Sequence, residues 1–317
     1  MVNALRVVYF GTPAFAVPSL ERLIASHHQV VAVVSQPDRP RGRGQRVQPT
    51  PTKAVAETAG VPVLQPTKLR DPALASDLHA LAPDLGVVAA YGRLIPDALL
   101  TIPRLGMINV HGSILPLYRG AAPVHRAVLA GDAETGVTIM RVVTELDAGP
   151  TFAMRRYAIG PEDTSAEVEA ALSVLGADLL MDVVGELVAG TARETPQDHG
   201  RATFAPKLTK EEGRIDWTRP ALAIHNQVRG LHPWPLAHAQ LSSRRVLIRR
   251  TRPVPDAPAS GPAGAVVAAH AEGIDVACGD GSVLRILEIQ SEGRRPMPAK
   301  DFLAGYRLDA GTRFGPA

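Results

Sequence analysis

The chain has 317 residues, 45% of them hydrophobic and 21% charged, and a formal net charge of +3. This balance is typical of a globular protein and excludes a disordered chain. The sequence contains no run of 18 or more apolar residues, so no membrane span is predicted. The length favours two domains. A strand-like run starts almost at the first residue, which leaves no room for a signal or transit peptide, so we expect a cytoplasmic protein.

The single cysteine, Cys278, excludes an internal disulfide and a thiolate metal cluster. A free cysteine usually behaves as a small buried apolar residue, and we therefore predict that Cys278 belongs to a core. Neither a HExxH pattern nor a paired-cysteine spacing occurs, so no metal site is expected.

In chain order, the first half alternates apolar, β-branched runs with helical stretches. This alternation predicts an α/β fold with a doubly wound, mainly parallel sheet, in which ligands bind beyond the carboxyl ends of the strands. The predicted strands cover residues 5–10, 29–35, 62–65, 85–92 and 107–113.

Two further strands (136–143 and 151–159) and a long amphipathic helix (165–190) are predicted to complete this domain. A polar, turn-rich connector follows, and we place the boundary between residues 206 and 207, giving a catalytic domain 1–206 and a second domain 207–317. The second domain has one predicted helix, 219–230, and several short alternating runs that favour a small β-barrel.

Positive charge is concentrated in two places. Residues 1–209 have a net charge of −1, whereas residues 210–317 have +4. Within the first domain, the connection 36–53 is unusually long, and it interleaves Arg39, Arg41, Arg43 and Arg46 with glycine and proline. Guanidinium groups on a flexible segment can bind a phosphate backbone, so this arm is either an RNA contact or an ordinary solvated loop.

The chemistry is predicted at the end of the fifth strand. Asn109 and His111 are two residues apart and therefore project from the same face of that strand. A carboxamide and an imidazole at this position can polarise a carbonyl, stabilise an oxyanion and exchange a proton with an attacking amine. Asp147 lies in a Gly-bounded turn after a later strand, from which its carboxylate can orient the imidazole.

Sequence patterns for an activated nucleophile are absent. Ser113 does not lie in a GxSxG motif, and Cys278 belongs to the other domain. Direct transfer through an oxyanion intermediate is therefore favoured over a covalent acyl-enzyme.

The segments NVHGSILP, YRGAAPVHRAVLAGDAETGVTIM and LDAGP together resemble the folate-dependent formyltransferase family. The resemblance implies 10-formyltetrahydrofolate as the formyl donor and a catalytic set of Asn109, His111 and Asp147. It also implies that the folate lies against two stretches, Ser113, Ile114, Leu115, Pro116 and Gly92, Arg93, Leu94. Ile114 replaces the leucine usual in the family, which conserves volume.

The resemblance covers essentially the whole chain and is closest to the branch of the family that acts on RNA-bound methionine. It implies initiator methionyl-tRNA as the acceptor, a carboxy-terminal OB-type barrel, and tRNA contacts from Arg39, Arg41 and Arg43 of the arm. Lys207 and Lys210 lie in the connector, where they either contact RNA phosphates or are ordinary exposed lysines. The arginines of 244–252 could form a further RNA-binding face or simply decorate a strand. We expect a monomer.

Three alternatives remain open at this point. A formyltransferase acting on a nucleotide-sugar amine or another small amine would share the same site. A dinucleotide-binding oxidoreductase would share the sheet, although the first turn, FGTPAF, lacks the GxGxxG spacing. An RNA-binding protein without catalysis would explain the basic segments but not Asn109 and His111.

Overall fold

The computed structural model describes residues 4–41, 46–242, 244–255, 257, 260–309 and 312–315. The chain divides into two compact units. The first comprises Met1–Pro123, Glu134–Ala158 and Glu169–Ala205, and the second comprises Val124–Ala133, Ile159–Val168 and Pro206–Ala317. The second unit thus includes two short segments that precede the connector, whereas the sequence analysis divides the chain at a single point.

Eleven strands belong to the first unit. They are β1 (Arg6–Gly11), β2 (Gln29–Val34), β3 (Arg39–Arg41), β4 (Arg46–Gln48), β5 (Val63–Leu64), β6 (Leu85–Ala89), β7 (Met107–His111), β8 (Arg119–Gly120), β9 (Glu134–Arg141), β10 (Thr151–Ala158) and β11 (Phe204–Ala205). Seven of them form the main sheet in the order β10-β9-β7-β6-β1-β2-β5. The five strands predicted to be parallel are parallel, and β9 and β10 add an antiparallel edge.

The helices that follow these strands along the chain are α1 (Val17–Ile24), α2 (Pro51–Thr58), α3 (Pro72–Ala80), α4 (Asp97–Leu100), α5 (Pro123–Ala130) and α6 (Ser165–Ala189), of which α5 lies almost entirely in the second unit. The central strands are buried along almost their whole length because both faces of the sheet are covered, as the runs of valine in the sequence indicate. The parallel arrangement brings the carboxyl ends of β1, β6 and β7 to one edge of the sheet.

The second unit contains a curled antiparallel sheet. From residue 206 onward, the helices and strands of this unit are α7 (Ala221–Gly230), β12 (Ala237–Leu241), β13 (Arg244–Val254), β14 (Val266–His270), β15 (Gly273–Ala277), β16 (Val283–Ser291), β17 (Met297–Pro298), α8 (Ala299–Gly305) and β18 (Phe314–Gly315). The strand order is β14-β15-β16-β13-β12-β18, with β17 beside β16. The two ends of this path meet, since Ala265 pairs with Arg313 and the Val266 N–H donates to the Thr312 carbonyl over 2.7 Å.

The core of the second unit includes Cys278, which is 5% exposed. Burial raises the pKa of its thiol to about 12, so the side chain is a neutral apolar group, as predicted. Within the described residues, every helix is too short or too polar to cross a bilayer.

Candidate active site

His111 is the last residue of β7, at the carboxyl edge of the main sheet. Its side chain is 5% exposed, and both ring nitrogens face acceptors. Nε2 lies 3.0 Å from the carbonyl oxygen of Tyr118, and Nδ1 lies 3.7 Å from Oδ2 of Asp147. A carbonyl can only accept, so Nε2 carries a proton here. The carbonyl on the Nε2 side and the carboxylate on the Nδ1 side together hold the ring in one orientation.

Asn109 is two residues earlier on the same strand, and its backbone lies between Val88 of β6 and Met140 of β9. The residue is partly exposed. Its side chain makes no hydrogen bond to any residue that the structure describes. The carboxamide therefore has donors available at the edge where a substrate of an α/β protein binds.

Asp147 lies in the connection from β9 to β10 with φ +48°, in the left-handed region that Asp and Asn tolerate better than most residues. Its Oδ2 accepts a hydrogen bond from the Gly120 N–H over 2.8 Å. Gly120 itself has φ +122°, and a Cβ at this position would lie 2.8 Å from the Ala205 carbonyl oxygen. The glycine therefore lets the backbone pass close to Ala205 while its N–H donates to the carboxylate.

A second layer of side chains fixes the turn around Asp147. Gln197 donates through Nε2 to the carbonyls of Asp147 and Gly149 over 2.8 and 2.7 Å. Arg119, which is 2% exposed, donates through Nη2 to Oε1 of Gln197 over 2.8 Å. Neither Arg119 nor Gln197 was predicted from the sequence to be a functional residue. Arg119 could have been found, because it lies in the segment YRGAAP, which is part of the family resemblance. Gln197 lies in a polar stretch with no motif that would indicate a functional residue.

The stretch from Ser113 to Pro116 follows β7 directly. Ser113 and Leu115 are buried, and the Ser113 hydroxyl donates to the Leu117 carbonyl over 2.6 Å. Ile114 and Pro116 are partly exposed. Side chains of Ile114 and Pro116, together with backbone groups, are therefore what this stretch can offer to a ligand.

Residues 92–94 follow β6 at the same edge of the sheet. Gly92 has φ +83° and is exposed, and Leu94 is 68% exposed. Arg93 is anchored, since its Nη1 donates to the Thr67 carbonyl over 2.8 Å. The structure thus brings this segment to the edge that carries Asn109 and His111, and it leaves an unusually exposed leucine there.

The arginine arm is more regular than the sequence indicates. Arg39–Arg41 and Arg46–Gln48 pair as a short antiparallel ribbon, and Arg39 is exposed. Arg43, the residue singled out within this arm, lies outside the described residues, as does the side chain of Arg41.

In the second unit, Lys207 and Lys210 are exposed. The segment that carries them is held by Arg126, whose guanidinium donates to the carbonyls of Pro206 and Lys207 over 3.1 and 3.2 Å and pairs with Glu212. A rigid, exposed lysine segment can contact an anionic partner at low cost in conformational entropy.

The arginines of 244–252 do not share one environment. Arg252 pairs with Glu162, and Arg249 lies 3.2 Å from a ring nitrogen of His232. Arg244 and Arg245 are exposed. Two of the five arginines in this run, Arg249 and Arg252, thus contact polar side chains of the protein itself.

A carboxamide without a partner among the described residues, beside an imidazole and carboxylate pair at the carboxyl edge of a doubly wound sheet, is suited to acyl- or formyl-group transfer. Sequence comparison identifies the particular family. A profile described as "Formyl transferase" matches residues 5–184, and one described as "Formyl transferase, C-terminal domain" matches residues 207–307. The chain therefore belongs to the formyl transferase family and is a transferase.

A relative from Methylococcus capsulatus, named methionyl-tRNA formyltransferase, is 46% identical over 314 residues, which cover 98% of this chain and 100% of the relative. Among solved structures, an N-formyltransferase from Helicobacter canadensis has a TM-score of 0.69 at 16% identity and covers 90% of this chain and 99% of its own. HypX from Aquifex aeolicus, in complex with tetrahydrofolic acid, has a TM-score of 0.63 at 18% identity and covers 95% of this chain and 47% of its own. At these identities the structures support the fold.

Proposed function

We propose that this chain transfers the formyl group of 10-formyltetrahydrofolate to the α-amine of methionine on initiator methionyl-tRNA. The observation that carries the proposal is the 46% identity, over nearly the full length of both chains, to a methionyl-tRNA formyltransferase. The cluster of Asn109, His111 and Asp147 supplies chemistry that fits this reaction.

In the proposed mechanism, the neutral α-amine attacks the formyl carbon, and a C–N bond forms while the carbonyl oxygen becomes an oxyanion. Asn109 donates to this oxygen, because its carboxamide has no other partner among the described residues. As the intermediate collapses, the bond to the folate nitrogen breaks, that nitrogen gains a proton, and the amine loses one. Tetrahydrofolate leaves.

His111 acts mainly through its charge in this scheme. Its Nε2–H is already donated to the Tyr118 carbonyl, so the protonated ring stabilises the oxyanion across the site rather than through a direct hydrogen bond. Asp147 holds the ring in this orientation, with its Oδ2 3.7 Å from Nδ1. Because Asp147 is still 13% exposed, it can also accept the proton of the amine through a water molecule.

We propose that the folate lies against the stretches 113–116 and 92–94. Ile114, Pro116 and Leu94 provide the apolar contacts, since they are the side chains with exposed surface there. Ser113 and Leu115 are buried and contribute through the backbone, as Gly92 does, while Arg93 is fixed by its bond to the Thr67 carbonyl.

For the RNA, we propose contacts from the arginine arm, with Arg39, Arg41 and Arg43, and from the exposed Lys207 and Lys210. The net charge of +4 on residues 210–317 favours binding of a polyanion. We further propose that the curled sheet of the second unit is an OB-type barrel within a domain 207–317, that residues 1–206 form the catalytic domain, and that the protein acts as a cytoplasmic monomer.

A competition assay tests the proposed acceptor. Purified protein is given labelled 10-formyltetrahydrofolate together with methionyl-tRNA and a nucleotide-linked amino sugar in equal amounts. The label is expected on the methionyl-tRNA, and hydrolysis of the ester should release N-formylmethionine. Label on the amino sugar alone would instead identify a small-amine formyltransferase and refute the proposed acceptor.

A further inference from the structure

A groove in the second unit has no part in the chemistry described above. It has a volume of about 580 Å³, and its lining includes Lys210, Arg214, Trp234, His238, Gln240 and Arg245. This volume lies within the range of about 300–1,000 Å³ that is typical of small-ligand sites. We refer to it as the Trp234 groove.

The floor of the Trp234 groove follows from the alternation along β12. Ala237 and Ala239 are fully buried in the core of the unit, so His238 and Gln240 face the opposite side. Arg245 on β13 is paired directly with Gln240. One side of the groove is therefore a strand pair that presents polar and charged groups outward.

The other side is the segment that contains Arg214, which forms a parallel bridge with His238. Gly213 makes this close approach possible. A Cβ at that position would lie 2.5 Å from the Leu236 carbonyl oxygen and 2.8 Å from Nδ1 of His238. The Ile215 N–H also donates to the His238 carbonyl over 2.9 Å. The cationic residues on the two sides of β12 are thus fixed by backbone pairing.

An aromatic side chain completes the groove. Trp234 is 49% exposed, which is unusual for the largest side chain in a protein. It lies between Pro233 and Pro235, whose rings restrict the backbone on either side. An exposed indole on a stiff segment is a platform for stacking, because little conformational entropy is lost when a flat ligand binds.

The charges and hydrogen-bonding groups point to a ligand with both an anionic and a polar aromatic part. Three cations line the groove against one carboxylate, that of Glu211. Burial, together with the charges of Arg245 and Arg214, lowers the pKa of His238, so its ring is neutral at pH 7. Oε1 of Gln240 is buried and has no hydrogen-bond partner among the residues that the structure describes. A neutral imidazole and a free carboxamide oxygen can bond the edge of a nucleobase.

We propose that the Trp234 groove binds an unpaired nucleotide of the RNA substrate, with its base stacked on Trp234 and its phosphates against Lys210, Arg214 and Arg245. Aromatic stacking plus cationic contacts to the backbone is the general way in which proteins bind single-stranded nucleic acid. This inference rests on the proposed function, in that the acceptor is a tRNA, but it concerns a binding subsite that is separate from the reacting groups.

Tryptophan fluorescence tests the stacking directly. The chain has two tryptophans, and the other, Trp217, is 4% exposed in the core. A single-stranded hexaribonucleotide should therefore quench the emission of Trp234. Trp234→Leu should abolish the quenching and raise the Kd of the oligonucleotide about 5- to 140-fold, the equivalent of about 1–3 kcal/mol per stacked base. Quenching of the same size by inorganic phosphate at equal ionic strength would overturn the proposal.

Arginine variants test the phosphate contacts. Arg245→Gln should reduce the salt dependence of oligonucleotide binding by about 0.7 in the slope of log K against log salt. Arg244→Gln is the matched control, because Arg244 is the next residue but lies over the ring of Tyr306 instead, 5.9 Å from its centroid. Equal slopes for the two variants would contradict the assignment.

Enzyme kinetics separate this inference from the proposed function. For Trp234→Leu, the KM for methionyl-tRNA should rise at least fivefold, while kcat and the KM for the folate stay within twofold of wild type. An unchanged KM for methionyl-tRNA would remove the subsite and leave the proposed function intact. If the wild-type protein did not formylate methionyl-tRNA at all, the proposed function would fail, whereas the oligonucleotide titration would still report on the groove.

Discussion

The charge of Asp147 can be removed with little other change by Asp147→Asn. Asparagine tolerates the left-handed backbone that Asp147 adopts, with φ +48°, and its carbonyl oxygen can still accept the bond from the Gly120 N–H. What is lost is the negative charge 3.7 Å from Nδ1 of His111. The variant therefore isolates the electrostatic contribution of the carboxylate.

The size of the effect follows from this distance. Two unit charges about 4 Å apart interact by about 4 kcal/mol at an effective dielectric constant of about 20. Both side chains are largely buried, with exposures of 5% for His111 and 13% for Asp147, so screening by solvent is limited. A loss of about 4 kcal/mol corresponds to a roughly 1,000-fold fall in kcat. We take this as the upper limit and about tenfold as the lower limit.

The measurement is kcat for formyl transfer to methionyl-tRNA, with the Kd of the folate and the melting temperature followed in parallel. Glu145→Gln is the matched control. It removes a carboxylate from the same loop, but that side chain is 70% exposed and lies 3.7 Å from Arg119 rather than beside His111. A kcat of Asp147→Asn within threefold of wild type, in a folded protein, would refute the reasoning.

Four further variants extend the test. Asn109→Ala should lower kcat about 100- to 1,000-fold with little change in the Kd of the folate, and a variant that kept most of its turnover would remove Asn109 from the oxyanion role. Arg43→Ala should raise the KM for methionyl-tRNA and weaken its salt dependence, whereas kinetics identical to wild type at all salt concentrations would defeat that contact. Gln197→Leu removes the side-chain donor from two carbonyls around Asp147 and the Oε1 acceptor from the buried Arg119 guanidinium, so we expect the free energy of unfolding to drop by about 2–4 kcal/mol and kcat to fall with it; a stable variant with normal kcat would contradict this. Burial lowers the pKa of His225 in the folded protein below its ordinary value of about 6.5. As the pH falls below about 6.5, His225 therefore binds a proton more readily in the unfolded chain than in the folded one, and the free energy of unfolding decreases. Unfolding by urea at pH 7.5 and 5.5 should show a smaller loss for His225→Gln than for wild type, and equal losses would refute the linkage.

The parallel sheet was predictable because its signal is local. A strand buried on both faces is apolar along nearly its whole length, and β1, β2 and β6 show this in the runs VVYF, VVAVV and LGVVA. Asn109 and His111 were predictable for a similar reason, since alternation along a strand places them on one face whatever else the chain does.

Contacts between distant segments were not predictable from local pattern. Gln197 donates a hydrogen bond to the Asp147 carbonyl, 50 positions away in the sequence, and no motif around residue 197 predicts this contact. The same holds for Arg126, which fixes the lysine segment more than 80 positions later. The ribbon of Arg39–Arg41 with Arg46–Gln48 was not predicted because the glycines and prolines in that stretch suggest an irregular loop.

The most direct test of the catalytic cluster is a crystal structure of the protein with a stable formyl-folate analogue. The account predicts that the formyl oxygen lies about 3 Å from the Asn109 carboxamide nitrogen, with the imidazole of His111 on the same side of the carbonyl. A formyl group bound with the Asn109 side chain turned away from its oxygen, and with Asp147 no longer beside His111, would contradict the central claim.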